Sequence, residues 1–285
     1  MKKILVFGAS GQLGQCLKAV SGKYPTVSIL FPDEKEANIL DEAGLRALFT
    51  RENPDYCINC AAYTAVDKAE SDVDTARLIN RDGAALLAKM CSENGSVLVQ
   101  ISTDFVFSGD HHLPLRETDL PRPISIYGIT KLEGEEEVAR LLDRHFIIRT
   151  SWLYSQFANN FVKTMLKLGR ERDQLKVIAD QIGSPTYAID LADAVLHIIA
   201  SGKTDYGVYH YSNEGVASWF DFTRAIFDIA ALRTPVKPIP TTEYPTPARR
   251  PAYSVMDKSK IKETFALEIP YWRDSLTTCI EALNL

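Results

Sequence analysis

The stretch KILVFGASGQLGQ, Lys3 to Gln15, constrains the fold more than any other part of the chain. Its unbroken apolar run is short and does not alternate, which reads as a strand buried on both faces. Gly8, Gly11 and Gly14 follow at G-x-x-G-x-x-G spacing, and Leu13, Leu17 and Val20 then recur at helical spacing. Glycine lets a backbone turn tightly and approach a pyrophosphate, and the free amides and dipole of a helix start attract that anion. A strand, glycine turn and helix in this order point to a dinucleotide site; the alternative is a glycine-rich turn with no ligand.

The rhythm continues for half the chain. VSILF, DYCINCAA, SVLVQIS and HFIIRTSW read as further strands. Between them, Asp41 caps a helix carrying Leu45, Leu48 and Phe49, another helix spans about Thr75 to Asn94, and a third follows Pro121 and Pro123. Strands alternating with helices predict an α/β fold, a doubly wound parallel sheet of the Rossmann type. Residues 1–150 are expected to form the dinucleotide-binding domain. Residues 151–285 are expected to form mainly a smaller α/β substrate domain, with segments near 186–215 returning to the first. Within it, TPVKPIPTTEYPTPARRPAYS has many prolines and little periodicity, as lids, binding loops and tethers do.

Composition narrows the classes. The 285 residues carry a formal net charge of -5, which speaks against a nucleic-acid partner. No apolar stretch nears the roughly 18 residues of a membrane span, and Gly8 breaks the first apolar run too early for a secretory leader. The expectation is a cytoplasmic protein. Five scattered cysteines do not form a disulfide framework, and Cys57 and Cys60 of CINC sit in a strand-like run that favours core packing over redox or zinc chemistry. The five histidines show no metal pattern, and no Mg2+ site is readable.

Chemistry concentrates at two places. ISTDFVFSG ends the fourth strand with Ser102, Thr103 and Asp104, where open α/β sheets bind ligands; a turn or helix cap is the other reading. YGITK places Tyr127 and Lys131 four residues apart, on one helix face. Reduction of a ketone needs a hydride donor and a proton donor at the carbonyl oxygen. An ammonium at Lys131 would lower the Tyr127 pKa toward neutrality, and Thr103 can hydrogen-bond the same oxygen. No clean acid ends the second strand, so NADH and NADPH both stay open.

The glycine spacing, AAYTAVDKAE, STDFVFSG, YGITKLEGE, RTSWLY, DQIGSPTY and RRPAYSVMD together resemble the dTDP-4-dehydrorhamnose reductase family of extended short-chain dehydrogenases/reductases. The resemblance implies an oxidoreductase that uses NADPH or NADH to reduce a dTDP-sugar in the last step of dTDP-L-rhamnose synthesis, as a monomer or homodimer. It implies Tyr127 as the general acid, Lys131 on the nicotinamide ribose, and Thr103 orienting the ketone. Asp104 and Trp152 would contact the substrate. Gly11, Gln12 and Leu13 would line the pyrophosphate, Asn38 and Ile39 the adenine, and Ala62, Tyr63 and Thr64 the length of the cofactor. Phe105 and Asn38 depart from the family's usual Tyr and Asp. Two other readings stand beside this one: a non-catalytic dinucleotide-binding subunit of the methionine adenosyltransferase type, and a reductase or epimerase of another nucleotide sugar. Asn80 is expected to tie backbone to backbone, EGEEEVAR to be a solvated helix face, and Arg249 and Arg250 to meet a diphosphate or form surface salt bridges.

Overall fold

The computed structural model describes residues 1–283; 284 and 285, the end of the expected second domain, lie outside the described residues. The chain runs β1 (Lys2–Phe7), α1 (Gln12–Val20), β2 (Val27–Leu30), α2 (Glu42–Glu52) and β3 (Tyr56–Asn59). Two short helices, α3 (Val66–Ala69) and α4 (Val73–Arg77), lead through a π-helical turn at Leu78–Asp82 into α5 (Gly83–Asn94). Then come β4 (Val97–Thr103), α6 (Ile126–Leu141), β5 (His145–Thr150), β6 (Leu153–Tyr154), α7 (Phe161–Glu171), β7 (Leu175–Ile178), β8 (Ile182–Gly183) and β9 (Thr186–Tyr187). The last third holds α8 (Ala188–Ser201), β10 (Gly207–His210), β11 (Ala217–Ser218), α9 (Trp219–Ile229), β12 (Val236–Ile239), α10 (Ser259–Phe265) and α11 (Trp272–Ala282).

Six parallel strands form the central sheet in the order β10-β5-β4-β3-β1-β2. Alternate residues of β1 explain why its apolar run is continuous. Ile4 and Val6 face α1 and α8, with Leu17, Leu191 and Val195. Leu5 and Phe7 face α2, α5 and α6, with Leu45, Leu87 and Val138. Strand order reverses between β1 and β3, opening a crevice beyond their carboxyl ends. A separate cluster around Tyr154, Phe222, Leu276 and Trp272 packs α7, α9 and α11 together. Beside it, β7 pairs in parallel with β12, giving the proline-rich segment a strand that its composition concealed. Among the described residues no helix is long and apolar enough to cross a membrane.

The helix expected from Thr75 to Asn94 is interrupted by the π turn, and the reason is Asn80. Its side chain accepts from the Tyr63 amide at 2.9 Å and donates to the Tyr63 carbonyl at 3.2 Å and the Thr130 hydroxyl at 3.1 Å. The extra residue of a π turn aims this amide at the loop after β3. α6 passes close enough that a Cβ on Gly134 would lie 2.2 Å from the Asn80 carbonyl oxygen. Backbone cannot yield there. Gly134→Ala is therefore expected to destabilise the fold by about 2 kcal/mol or more, read as a lower urea midpoint; an unchanged midpoint would show that α6 can shift freely.

Candidate active site

The site gathers at the carboxyl ends of β1, β3, β4 and β5. Gly8 has φ +72°, and a Cβ there would lie 2.6 Å from the Ala61 amide nitrogen. A Cβ on Gly14 would lie 2.5 Å from the Gly8 carbonyl. The turn can thus sit against the loop after β3 only as glycine. Gly11 caps α1 without a side-chain bond, so the first amides of the helix have no partner within it. The Gln12 side chain donates to the Leu153 carbonyl at 3.2 Å and accepts from Asn160 at 3.0 Å, tying the turn to the second half. Leu13 and Ile39 are buried in the two core clusters, so only their backbone can meet a ligand. Asn38 is exposed and accepts from the Leu40 amide at 3.0 Å. Ala62 and Tyr63 are half-buried and Thr64 is exposed, along a loop that Asn80 fixes. Tyr63 also donates its hydroxyl proton to Asp72 at 2.9 Å.

Tyr127 lies in the first turn of α6. Ser125 caps that turn, accepting from the Gly128 amide at 3.2 Å, and Glu70 accepts from the Ile126 amide at 2.9 Å. The phenol lies on the Thr103 side of this turn, and Thr103 acts to lower its pKa. Thr103 in turn donates to Asp104 Oδ1 at 3.1 Å and accepts from the Phe105 amide at 3.2 Å. Phe105 meets the Tyr127 ring edge-on, with centroids 5.5 Å apart. Lys131, 4% exposed, donates from Nζ to the Ile101 carbonyl at 2.7 Å.

The electrostatics differ from the expectation that Lys131 acidifies Tyr127. Burial pushes the phenol up to about 12; Thr103 opposes the rise and Asp104 adds to it. Burial holds Lys131 down to about 8. Nζ is committed to the Ile101 carbonyl, and the phenol stays protonated. A protonated phenol has a proton to give, which suits a donor at a ketone oxygen.

The polar atoms here fit a dinucleotide and a polar substrate. Ser102 Oγ, Asp104 Oδ2 and Thr150 Oγ1 are buried at these strand ends without a hydrogen-bond partner. Such groups are costly unless something bonds them. Among the described residues no group of three or more His, Cys, Asp or Glu is placed to hold a metal ion.

A family model described as "RmlD substrate binding domain" matches residues 1–285. A dTDP-4-dehydrorhamnose reductase from Aggregatibacter actinomycetemcomitans is 38% identical over 97% of both chains. The chain belongs to the dTDP-4-dehydrorhamnose reductase family. The crystal structure of such a reductase from Clostridium acetobutylicum matches at TM-score 0.94 and 41% identity, covering 99% of this chain and all of that one. That of the Bacillus anthracis enzyme, in complex with NADP, matches at TM-score 0.93 and 39% identity with the same coverage.

Trp219 and the Glu135–Arg149 pair, near this reductase-family site, were not singled out in the sequence. Trp152, at φ +46°, stacks on Trp219 with ring centroids 3.6 Å apart and planes 6° apart. Trp219 lines a cleft of about 500 Å³ with Phe161, Met165, Lys176, Tyr244 and Arg250. Arg250 pairs with Asp67 at 2.8 Å, bridging α3 and the proline-rich segment, while Arg249 is exposed. EGEEEVAR is not wholly solvated: Glu135 is 4% exposed and bound by Arg149, itself 3% exposed. Tyr-x-x-x-Lys-x-x-x-Glu spacing was the available signal.

Asp104 supplies a test of this site's burial. Its carboxyl, 2% exposed, is raised by desolvation from the ordinary 3.8 to about 6. Across that window the native state holds more proton than the unfolded chain, so this group's contribution to stability falls as pH rises. Asp104→Asn carries no such proton. Its stability relative to the parent should climb between pH ~4 and ~6 by on the order of 2 kcal/mol, measured by chemical denaturation; a pH-independent difference would mean the carboxyl is not desolvated.

Proposed function

We propose that this chain reduces the C4 ketone of dTDP-4-dehydro-6-deoxy-L-mannose to dTDP-L-rhamnose, using NADPH or NADH. The observation that carries the reading is the placement of Thr103 at the end of β4 and of Tyr127 and Lys131 on the first turns of α6, with Lys131 Nζ on the Ile101 carbonyl at 2.7 Å. The reduced nicotinamide supplies the hydride. Gly8, Gly11, Gly14 and the first amides of α1 would hold its pyrophosphate, and Lys131 its nicotinamide ribose.

The protein's own residues then do three things. The Phe105 amide fixes the Thr103 oxygen, and its one hydroxyl proton, turned from Asp104 Oδ1 to the ketone oxygen, orients that oxygen. Tyr127 delivers its phenolic proton to that oxygen as the C–O bond gains charge. Lys131 places a cation beside the phenol, where tyrosinate forms. The cleft beneath Trp219, apolar but edged by Lys176 and Arg250, suits the nucleoside and diphosphate. The reading extends to a cytoplasmic protein acting as a monomer or homodimer, which sedimentation would distinguish.

Purified protein with NADPH or NADH and the dTDP-ketosugar should show substrate-dependent loss of absorbance of the reduced cofactor. No oxidation with either cofactor would sink the proposal. Tyr127→Phe should lower kcat by about 100-fold or more while cofactor binding, followed by calorimetry, stays near the parent value. Turnover at the parent rate would remove Tyr127 from the proton transfer.

A further inference from the structure

Behind Lys131 lies a buried ion pair that the proton transfer does not use. Glu135 follows Lys131 by one helical turn on α6, so both side chains share a face. Arg149 of β5 grips Glu135 with its fork: Nε reaches the two oxygens at 3.0 and 3.1 Å, and Nη2 donates to Oε2 at 2.7 Å. The guanidinium lies 5.2 Å over the Phe107 ring, and Nη1 faces His210 Nε2 at 3.5 Å. His210 Nδ1 donates to the Leu115 carbonyl at 3.1 Å, leaving Nε2 to accept. Burial holds that ring down to about 3, so it is neutral.

The groups around the ammonium, and behind its carboxylate, come from five elements. At the end of β3 stands the Cys60 thiol, kept protonated by burial. β4 offers the Ile101 carbonyl. α6 carries Glu135, one turn after Lys131, and Tyr127, one turn before it. Arg149 of β5 and His210 of β10 stand behind Glu135. Glu135 is the carboxylate that acts on Lys131, opposing the desolvation that favours loss of its proton. Yet it makes no direct ion pair with Nζ, because Arg149 occupies both of its oxygens.

We propose that Glu135 is a positioning residue for Lys131, and that Arg149 holds the carboxylate where it steadies the ammonium without capturing it. Capture would draw Nζ off the Ile101 carbonyl and away from the crevice where Tyr127 works. Loss of Glu135 would instead leave a desolvated amine that sheds its proton sooner. The proposal rests on the reductase reading of Lys131.

Lysine labelled with 13C at Cε lets Lys131 be titrated by NMR in the cofactor-free protein, separately from any assay of turnover. Breaking a buried pair from one side is damaging, whereas replacing both partners is far better tolerated. The double variant Glu135→Gln, Arg149→Met should therefore fold, with its melting checked by circular dichroism. In it the Lys131 midpoint should fall by about one pH unit. In Arg149→Met alone the freed carboxylate should move the midpoint the other way. The alkaline limb of the kcat/KM profile should follow each shift. Midpoints that stay put, or move in the same direction, overturn the proposal. If Arg149→Met does not fold, the double variant decides, and an unchanged midpoint there overturns it.

Discussion

A lysine ammonium buried between a helix and the end of a parallel strand dictates much of what surrounds it. Such a charge persists only where oxygen atoms replace water. The Ile101 carbonyl supplies one at 2.7 Å, which requires α6 to cross tightly over the end of β4. That approach needs two bare backbone positions: a Cβ at Gly128 or Gly134 would each come within 2.2 Å of a carbonyl oxygen, of Phe105 and Asn80 respectively. The π turn exists at the same contact, turning Asn80 toward Thr130 and the loop after β3. Sheet end, helix start and the loop after β3 are thus registered against one another by the demands of one cation and one amide.

Across the crevice, the part of the second half outside the main sheet is tied to this frame by specific contacts. Gln12 bonds Leu153 and Asn160, and Asp67 bonds Arg250; within the second half, Trp152 stacks on Trp219. Trp152 hangs two residues past Thr150, the register partner of Thr103. An indole just past the end of β5 is thereby held flat by an indole that walls the neighbouring cleft.

What the sequence made legible follows from physical range. The five strands up to residue 150 stood out because burial on both faces forces continuous apolar runs. Thr103, Tyr127 and Lys131 stood out because strand-end hydroxyls and an i,i+4 pair are local patterns. β12 did not, because Val236–Ile239 contains Pro238 and gains its strand character from pairing with β7, sixty residues away. Glu135 was hidden inside an acidic run; its burial depends on Arg149, which belongs to the next strand. The cleft was invisible for the same reason, since its walls come from α7, β7, α9 and the segment after β12.

The last strand of the sheet carries a consequence for how the chain is made. β5 is buried along its whole length, yet one of its edges is covered only by β10, which begins at Gly207. A ribosome that has delivered residues 1–150 has delivered a sheet with an open, apolar, parallel edge. Nearly sixty more residues, most of them belonging to other elements, must emerge before that edge is closed. Nascent chains expose such edges to the wrong neighbours. His145 to Thr150 is the stretch of this protein most in need of shelter during synthesis.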